Sequence, residues 1–338
     1  MDATRTALVT GATGYIGSRL VPHLLDRGWS VRVLTRSADR IAERSWRDRV
    51  EVVEGDATSS RARATACAEV DVLYYLLHSM DGGADFAARD RELASGLSAS
   101  ARRAGLTRIV YLSGLHPATD LPATELSAHL ASRVEVGEIL TASGVPTAVL
   151  QAAVIVGSGS ASFEMLRHLT NRLPAMVAPA WLDNRIQPIA IADVLHYLAA
   201  AADLPPGLNR CFDIGGEEII TYREMISRYA RIAGRRRPLV LTLPVLTPKL
   251  ASHWVGLVTP VPTGIAKPLV GSLIHEVVCT EHDLVDLVGE PPDGITRYDD
   301  AVAAALQGGH EPLPEPGRAH PARLTAADPA WAGDRRRW

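Results

Sequence analysis

Three glycines near the beginning of the chain have the type and spacing to bind a phosphate group. Gly11, Gly14 and Gly17 form the pattern GxxGxxG between a β-rich apolar run at 6–10 and a helix-periodic stretch at 15–28. A strand, a tight glycine turn and a helix in this order place the pyrophosphate of a dinucleotide at a helix N-terminus. Gly11 can adopt a positive φ, Gly14 leaves room for the phosphate, and Gly17 lets the helix pack closely on the strand. The pattern predicts a dinucleotide site, and the alternative is a turn that only connects two elements.

The residues after the second predicted strand indicate which dinucleotide would bind. The strand at 31–35 ends at Arg36 and Ser37, where NAD-specific folds usually carry an acidic residue for the ribose 2′-hydroxyl. A guanidinium group suits a 2′-phosphate instead, and Ser37 adds a second donor. We therefore expect NADP(H) as the cofactor, with NAD(H) as the alternative. An arginine that only faces solvent would also fit the sequence.

Polar residues follow the next three predicted strands as well, at the edge where open α/β sheets bind ligands. Asp56 could accept a hydrogen bond from the adenine amine, or it could cap the helix that begins near residue 58. His78 and Ser79 follow the fourth strand, and Ser113 ends the fifth. The residues expected to contact the cofactor are Gly11, Thr13, Gly14, Tyr15, Ile16, Gly17, Arg36, Ser37, Asp56, Ala57, Leu77, His78 and Ser79.

The composition excludes several classes of protein. The chain has 338 residues, 47% of them hydrophobic, and a formal net charge of −3, which argues against a generally nucleic-acid-binding surface. Its three cysteines, Cys67, Cys211 and Cys279, lie far apart, so we expect neither a disulfide framework nor a metal site. A predicted strand begins almost at once and leaves no room for a signal peptide, so we expect a cytoplasmic location.

Strand and helix patterns alternate through the first half of the chain. Strands are predicted at 6–10, 31–35, 50–54, 70–77, 107–112 and 146–151, and helices at 15–28, 38–47, 58–68, 84–105 and 124–143. This alternation, with nearly continuous apolar strands, predicts an α/β fold built on a Rossmann doubly wound parallel sheet. We expect a small C-terminal substrate-binding subdomain beside it.

The predicted domains follow from this pattern. Residues 1–157 form the NAD(P)-binding Rossmann core, which about 186–216 completes, and 158–185 with 217–306 form the substrate or lid subdomain. Residues 307–338 are a tail rich in Pro, Gly and Arg, expected to be flexible or wrapped on the surface.

One apolar stretch in the second half has two interpretations. Residues 250–266 carry no Asp, Glu, Lys or Arg and contain Pro260 and Pro262, so they are too short and too broken to span a membrane. A pocket wall or core helix with a proline loop is one interpretation. A peripheral membrane contact through 244–275, or a lid over an apolar substrate, is the other.

The motifs together resemble the short-chain dehydrogenase/reductase superfamily. GATGYIG, VLTRS, EGDAT and VYLSG carry the resemblance in the first half, and RIQPIAIADVLHYL with FDIGGEEIITYREM carries it in the second. The chain is most similar to the atypical, NmrA-like branch, which includes the accessory 39-kDa-type subunit of respiratory complex I and nucleoside-diphosphate-sugar epimerase-like proteins. The resemblance covers about residues 4–305.

This resemblance implies a catalytic site that departs from the usual one. Active members pair a Tyr with a Lys four residues later, and these positions hold His129 and Arg133 here, whereas Ser113 matches the family's serine. His129 is expected to exchange a proton near neutral pH, and Arg133 to hold a ribose hydroxyl or a phosphate. The family's arginine-proline after the sixth strand is replaced by Gln151 and Ala152.

Two functions are compatible with these residues. The first is an NADP(H)-dependent oxidoreductase or isomerase of a small, apolar molecule, with Ser113, His129 and Arg133 at its catalytic site. The second is a protein that binds NADP(H) without catalysis, as a redox sensor or a structural or assembly factor. The sequence does not specify the substrate or the oligomeric state.

Overall fold

Seven parallel strands form the central sheet of the described part of the chain. The structure is a computed structural model that describes residues 4–78, 86–117, 127–243, 258–271, 274–307, 320–326 and 328–333. In chain order the sheet strands are β1 (Thr6–Thr10), β2 (Ser30–Thr35), β3 (Glu51–Glu54), β4 (Val72–Tyr75), β5 (Arg108–Gly114), β6 (Thr147–Ala152) and β11 (Arg210–Ile214). Their order across the sheet is β3-β2-β1-β4-β5-β6-β11, which confirms the predicted Rossmann fold.

Both faces of the sheet are covered by helices because the side chains of each strand alternate between two apolar clusters. Along β1, Ala7 and Val9 join one cluster and Leu8 joins the other, and all three are fully buried. The helices in chain order are α1 (Tyr15–Asp26), α2 (Ser60–Cys67), α3 (Phe86–Ala104), α4 (Ala128–Thr141), α5 (Ala161–Arg172), α6 (Ile191–Ala200), α7 (Tyr222–Ile232), α8 (Thr263–Gly271), α9 (Asp283–Val288) and α10 (Tyr298–Leu306). Helices α1 and α6 contribute to the first cluster, and α2, α3 and α4 to the second.

The strand order reverses between β1 and β4. Strand β1 pairs with β2 on one side, through Thr10 and Leu34, and with β4 on the other, through Thr10 and Tyr75. The segments that leave the carboxyl ends of β1 and β4 therefore turn to opposite faces, which opens a crevice at that edge.

One predicted helix of the first half is replaced by two shorter turns. The helix expected at 38–47 is a 3-10 helix at Ala38–Ile41 and another at Arg47–Arg49. The first begins where Ser37 Oγ accepts a hydrogen bond from the backbone N–H of Asp39, and such caps favour a short turn over a continued helix.

The second half contains three two-stranded sheets, which are separate from the central sheet. Strand β7 (Ile155–Val156) pairs with β10 (Ile189–Ala190), β8 (Ala175–Pro179) with β13 (Leu239–Leu243), and β9 (Arg185–Ile186) with β12 (Ile220–Thr221). Helix α7 starts with a capping box, in which Thr221 and Glu224 each bond the other's backbone N–H. Helices α7 and α8 pack against α5, so these three helices form one packed group.

Some of the described tail residues are buried against the rest of the chain, and others, His320, Ala326, Pro329 and Ala330, are exposed. Leu324 is 4% exposed and Ala332 is fully buried. Both carboxylate oxygens of Asp328 accept hydrogen bonds from the guanidinium of Arg19 in α1, at 2.9 and 2.8 Å. The sequence of the tail has no hydrophobic period, so it gave no indication of this buried ion pair.

Two properties of the described residues bear on function. None of their helices combines the length and apolarity needed to cross a membrane. The same residues contain no group of three or more His, Cys, Asp or Glu that could hold a metal ion.

Candidate functional site

A groove of about 300 Å³ lies at the carboxyl ends of the strands, where the sheet order reverses. It is bordered by the turn after β1, the ends of β2 and β3, and the segment after β4. The expected residues that line it are Gly11, Thr13, Gly14, Arg36, Asp56, Ala57, Leu77 and His78. They come from four different motifs, and the fold brings them together as proposed; which of them contact a cofactor stays a prediction.

The glycine turn at one end of the groove has the geometry that its sequence predicted, with one difference. Gly11 has φ +74°, and a Cβ on it would lie 2.5 Å from the carbonyl oxygen of Leu76. A Cβ on Gly17 would lie 2.4 Å from the carbonyl oxygen of Gly11. Gly17 therefore permits close packing of α1 on the turn itself, rather than on the strand before it.

The N-terminus of α1 is open to the groove. Gly14 is its N-cap, with extended backbone, and no side chain accepts a hydrogen bond there. The first N–H groups of a helix need an acceptor, and their dipoles favour a negative charge. Since Gly14 is exposed and brings no side chain into this space, the turn fits the pyrophosphate of a dinucleotide.

Two arginines form the other end of the groove. Arg36 and Arg40 both line it, and both are exposed. Arg36 was predicted from its position after β2. Arg40 was missed because it lies in the segment that was expected to be a longer helix. Together they offer two guanidinium groups to a 2′-phosphate, the group that distinguishes NADP(H) from NAD(H).

Asp56 and Ser37 have local roles in the structure. Asp56 Oδ1 accepts hydrogen bonds from the backbone N–H and the hydroxyl of Thr58, both at 2.8 Å, and these bonds lower the pKa of its carboxyl group. The cap of α2 is Ser59, so the expected capping role of Asp56 is replaced by a turn. Ser37 Oγ is engaged with Asp39, and Ser37 is not among the residues that line the groove.

Three further expected cofactor residues lie elsewhere. The Tyr15 hydroxyl is buried, and its ring packs 4.1 Å from the guanidinium of Arg19, on the side of α1 away from the groove. Gly17 supports the turn, and Ile16 lines a second cavity. Ser79 lies outside the described residues.

This second cavity, of about 200 Å³, adjoins the groove. All three expected catalytic residues, Ser113, His129 and Arg133, line it. Most of its other walls are apolar: Ile16, Leu112, Leu115, Leu130, Ala152, Val154, Ile155, Ile186, Leu269 and Val277. An apolar cavity with a few polar groups is the usual form of a small-molecule site.

Two hydroxyl groups in this cavity lack a partner. Ser113 Oγ and Tyr222 OH are buried, and neither makes a hydrogen bond to the described residues. A buried polar atom without a partner costs about 1–3 kcal/mol, which a ligand oxygen could recover. Tyr222 was missed, because its position in the capping-box motif indicated a helix start and gave no information on the side that it faces.

His129 does not titrate as the sequence predicted. Burial of its ring, followed by the nearby charge of Arg133 and the proximity of His78, lowers the pKa of His129 to about 2. The imidazole is therefore neutral at physiological pH rather than titrating near its free value, and its role in proton transfer stays a prediction. Burial and Arg133 also lower the pKa of His78.

The two histidines join the groove to the cavity. His78 lines the groove and His129 lines the cavity, and His78 Nε2 lies 3.0 Å from His129 Nδ1. Behind them, His78 Nδ1 lies 3.4 Å from Oδ2 of the buried Asp90 in α3. Sequence analysis missed Asp90, because the charged run in which it lies does not reveal which member faces inward.

Comparison with known proteins decides the family. The NAD(P)H-binding family matches residues 11–165. Ceramide reductase of Caulobacter vibrioides is 30% identical over 279 residues, which cover 79% of this chain and 84% of that protein. The chain belongs to the atypical short-chain dehydrogenase/reductase family. This atypical short-chain dehydrogenase/reductase binds NAD(P)H and is a member of an oxidoreductase family, as its motifs predicted.

Solved structures share the fold of this atypical short-chain dehydrogenase/reductase. Triphenylmethane reductase of Citrobacter sp., complexed with NADP(H), is 20% identical with a TM-score of 0.66, and the match covers 89% of this chain and 100% of that chain. NADPH-dependent quinone oxidoreductase of Escherichia coli, complexed with NADPH, is 19% identical with a TM-score of 0.65, and the match covers 89% and 100%. At this identity the likeness shows a common fold.

Proposed function

We propose that the protein is an NADPH-dependent reductase of an apolar carbonyl compound, such as a ketone, quinone, enone or aldehyde. The observation that carries this proposal is the apolar cavity beside the groove, with two buried hydroxyls in its wall that have no hydrogen-bond partner among the described residues. The predicted subdomain of 158–185 and 217–306 would supply the part of this wall formed by Ser162, Tyr222, Leu269 and Val277.

The groove residues would define the orientation in which the cofactor lies along the groove. The N-terminus of α1 at Gly14 would take the pyrophosphate, and Arg36 with Arg40 would take the 2′-phosphate at the far end. The remaining half of the dinucleotide would then extend past His78 toward the cavity. When bound there, NADPH supplies the hydride.

The cavity residues would bind and polarise the carbonyl group. Ser113 Oγ and Tyr222 OH can each donate a hydrogen bond to an oxygen that gains negative charge during reduction. Burial raises the pKa of Tyr222, so its hydroxyl stays protonated and acts as a donor. Arg133 donates to the Leu112 carbonyl oxygen at 3.4 Å and adds a positive charge beside the cavity.

The relatives support the choice of substrate class. Their names describe reduction of a ceramide, a triphenylmethane compound and a quinone, which are all largely apolar molecules. The described part of 244–275 also supports it: Ala266 and Val270 in α8 are buried, and Leu269 lines the cavity. A pocket wall is thus the interpretation that these residues favour, and a membrane contact and the cytoplasmic location stay predictions from the sequence.

The test is NADPH oxidation by the purified protein with quinones, enones, aldehydes and long-chain ketones, followed through the loss of NADPH absorbance. Tyr222→Phe should lower kcat by about tenfold to a hundredfold, since a lost donor to a developing charge costs about 1.5–3 kcal/mol. The matched control is Tyr197→Phe, because Tyr197 OH is also buried without a partner among the described residues but does not line the cavity. Equal kcat for the two variants would remove Tyr222 from the site.

A second candidate is a protein that binds NADP(H) without catalysis. The observation in its favour is the replacement of the Tyr and Lys pair by a neutral His129 and Arg133. Tight NADPH binding by the wild type, with no turnover of any of these compound classes, would favour this sensor or assembly role over the reductase.

A further inference from the structure

Three side chains from separate parts of the chain stand in a line behind the cavity. Asp90 comes from α3, His78 from the segment after β4, and His129 from α4. The Asp90 to His78 distance is 3.4 Å and the His78 to His129 distance is 3.0 Å. The side chains of Asp90 and His78 are 2% and 14% exposed, and His129 is 7% exposed, so bulk water does not interrupt the line.

The chemistry of the three groups fixes where the hydrogens lie. A carboxylate only accepts hydrogen bonds, so the nitrogen of His78 that faces Asp90, Nδ1, carries the hydrogen. The other nitrogen of a neutral His78, Nε2, must then accept, and His129 Nδ1 must donate to it. His129 Nε2 is left without a hydrogen, and it is the nitrogen available to a ligand in the cavity.

We propose that Asp90 is the proton store of this site, and that His78 and His129 carry one proton between Asp90 and the substrate oxygen in the cavity. The proposal deepens the proposed reductase function and rests on it. It assigns a catalytic role to His129, which would touch the substrate, and relay roles to His78 and Asp90.

The relay has two neutral-imidazole states that differ by one proton. In the first, Asp90 is a carboxylate and both histidines carry hydrogen on Nδ1. In the second, a solvent proton taken up at His129 Nε2 from the cavity has passed back along the line to Asp90, and both histidines carry hydrogen on Nε2. His129 Nε2–H then donates into the cavity, and neither ring has become a cation.

The reductive step balances in this scheme. The carbonyl carbon gains a hydride from NADPH, its π bond to oxygen breaks, and the oxygen takes the proton from His129 Nε2. His129 Nδ1 takes the proton of His78 Nε2, and His78 Nδ1 takes that of Asp90, which returns to the carboxylate. The site uses one hydride and one proton per alcohol formed.

The surrounding charges favour this route over one through an imidazolium ion. Burial lowers the pKa of both histidines, the charge of Arg133 from α4 lowers them further, and Asp90 is the group that opposes these effects. Ser132 Oγ, also from α4, donates to Asp90 Oδ2 at 3.3 Å. A single charged imidazole is costly here, whereas a relay of neutral tautomers avoids that cost.

The first test measures the tautomers of the protein without cofactor or substrate. Nitrogen-15 NMR of imidazole-labelled protein at neutral pH should show hydrogen on Nδ1 in both His78 and His129. Asp90→Asn replaces a carboxylate that only accepts with an amide that can also donate, so it should weaken this preference in both rings together. The matched control is Asp193→Asn, another buried aspartate, which bonds Thr296 instead. Hydrogen on Nε2 of His129 in the wild type would overturn the proposal.

The second test measures turnover. With a carbonyl substrate found as described above, Asp90→Asn and His129→Phe should each lower kcat by about 10²–10⁴-fold, with NADPH affinity changed less than about threefold. The fall for Asp90→Asn should come with a changed pH profile of kcat, which a purely structural loss would not produce. Unchanged kcat in Asp90→Asn would overturn the relay, even if the wild type is a good reductase. If the wild type turns over no carbonyl compound while its tautomers are as expected, the reductase function itself fails, and the relay's catalytic role fails with it.

Discussion

Arg36 and Arg40 place two positive charges where an acidic residue would select NAD(H). Neither is buried, so their contribution depends on the phosphate that they contact rather than on the fold. This makes cofactor preference a property of single side chains, which can be changed without disturbing the sheet.

We expect Arg36→Asp to reverse that preference. The loss of a charge-assisted contact to the 2′-phosphate costs about 1.5–3 kcal/mol, or roughly tenfold to a hundredfold in NADPH affinity, while the new carboxylate can accept from the 2′-hydroxyl of NADH. Titration of both reduced cofactors into the wild type and the variant measures the ratio. Arg61→Asp, which makes the same charge change at an exposed position outside the groove, should leave it unaltered. Equal affinities of the wild type for both cofactors would contradict the assignment.

At the scale of elements, the turn between β1 and α1 contains one glycine placed for phosphate binding and another that the fold requires. Gly14 and Gly17 are three residues apart, yet an added Cβ lies 3.3 Å from the nearest atom at the first and 2.4 Å at the second. Substitution of Gly14 should therefore affect cofactor binding, and substitution of Gly17 should affect stability.

Gly14→Asp should abolish NADPH binding and keep the fold. The aspartate would occupy the N-cap of α1, where it is a preferred residue, and its charge would repel the pyrophosphate. Calorimetric titration with NADPH and circular dichroism test the two parts. A folded variant with wild-type affinity would mean that the pyrophosphate binds elsewhere.

Gly17→Ala should instead lower stability by about 1–3 kcal/mol, because the methyl group meets the backbone of Gly11 and Ala12. The midpoint of urea unfolding measures this change. Gly28→Ala is a poor control because Gly28 has a positive φ. Gly207→Ala is a better one, since the new Cβ has open space around it, and its effect on stability should be nearly zero. A midpoint for Gly17→Ala equal to that of Gly207→Ala would show that the turn can move aside.

The elements themselves were largely predictable, because their signals are local. The predicted strand at 70–77 is β4 at Val72–Tyr75, shorter because Leu76 to His78 leave the sheet to line the groove. The contacts between elements were not predictable in the same way. His78 and His129 are in contact although they are 51 positions apart in the sequence. Burial of the His129 ring is the main cause of its lowered pKa. A residue type and its spacing identify a candidate, but they do not give its surroundings.

At the scale of the whole molecule, the tail and the first helix stabilise each other. Arg19 and Asp328 are both buried, with side-chain exposures of 4% and 2%. Arg19 also donates to the carbonyl oxygens of Ser158 and Arg323, so the pair holds three parts of the chain together.

Asp328→Ala should lower the free energy of unfolding by about 3–5 kcal/mol, since it leaves a buried guanidinium without its charge partner. Asp203→Ala is the matched control, because Asp203 pairs with Arg5 at the surface, where such pairs contribute about 0–1 kcal/mol. Urea unfolding of both variants gives the comparison. A loss below about 1 kcal/mol in Asp328→Ala would show that the tail is not part of the cooperative structure.

Stability should also fall in acid because of buried neutral histidines. The pKa values of His129 and His23 are lowered to about 2 and about 4, chiefly by burial, whereas an unfolded histidine has a pKa near 6.5. The unfolded state therefore binds more protons below about pH 6.5, and each group removes up to about 1.4 kcal/mol per pH unit. Urea midpoints between about pH 7.5 and 5.5 measure the slope. His129→Phe should reduce it, and an equal slope in the variant would contradict the burial of a neutral ring.

The ion pair between Arg19 and Asp328 has a consequence for the order in which the protein folds. The two residues are 309 positions apart, so the ribosome makes the glycine turn and α1 long before the partner of Arg19 exists. Until then, the helix that is proposed to receive the pyrophosphate contains a cation that lacks its ion pair with Asp328. The nucleotide-binding half should therefore mature late in synthesis, although its sequence comes first. Nascent chains arrested before residue 328 should be cut by protease within the first 157 residues, and chains extended past residue 333 should resist.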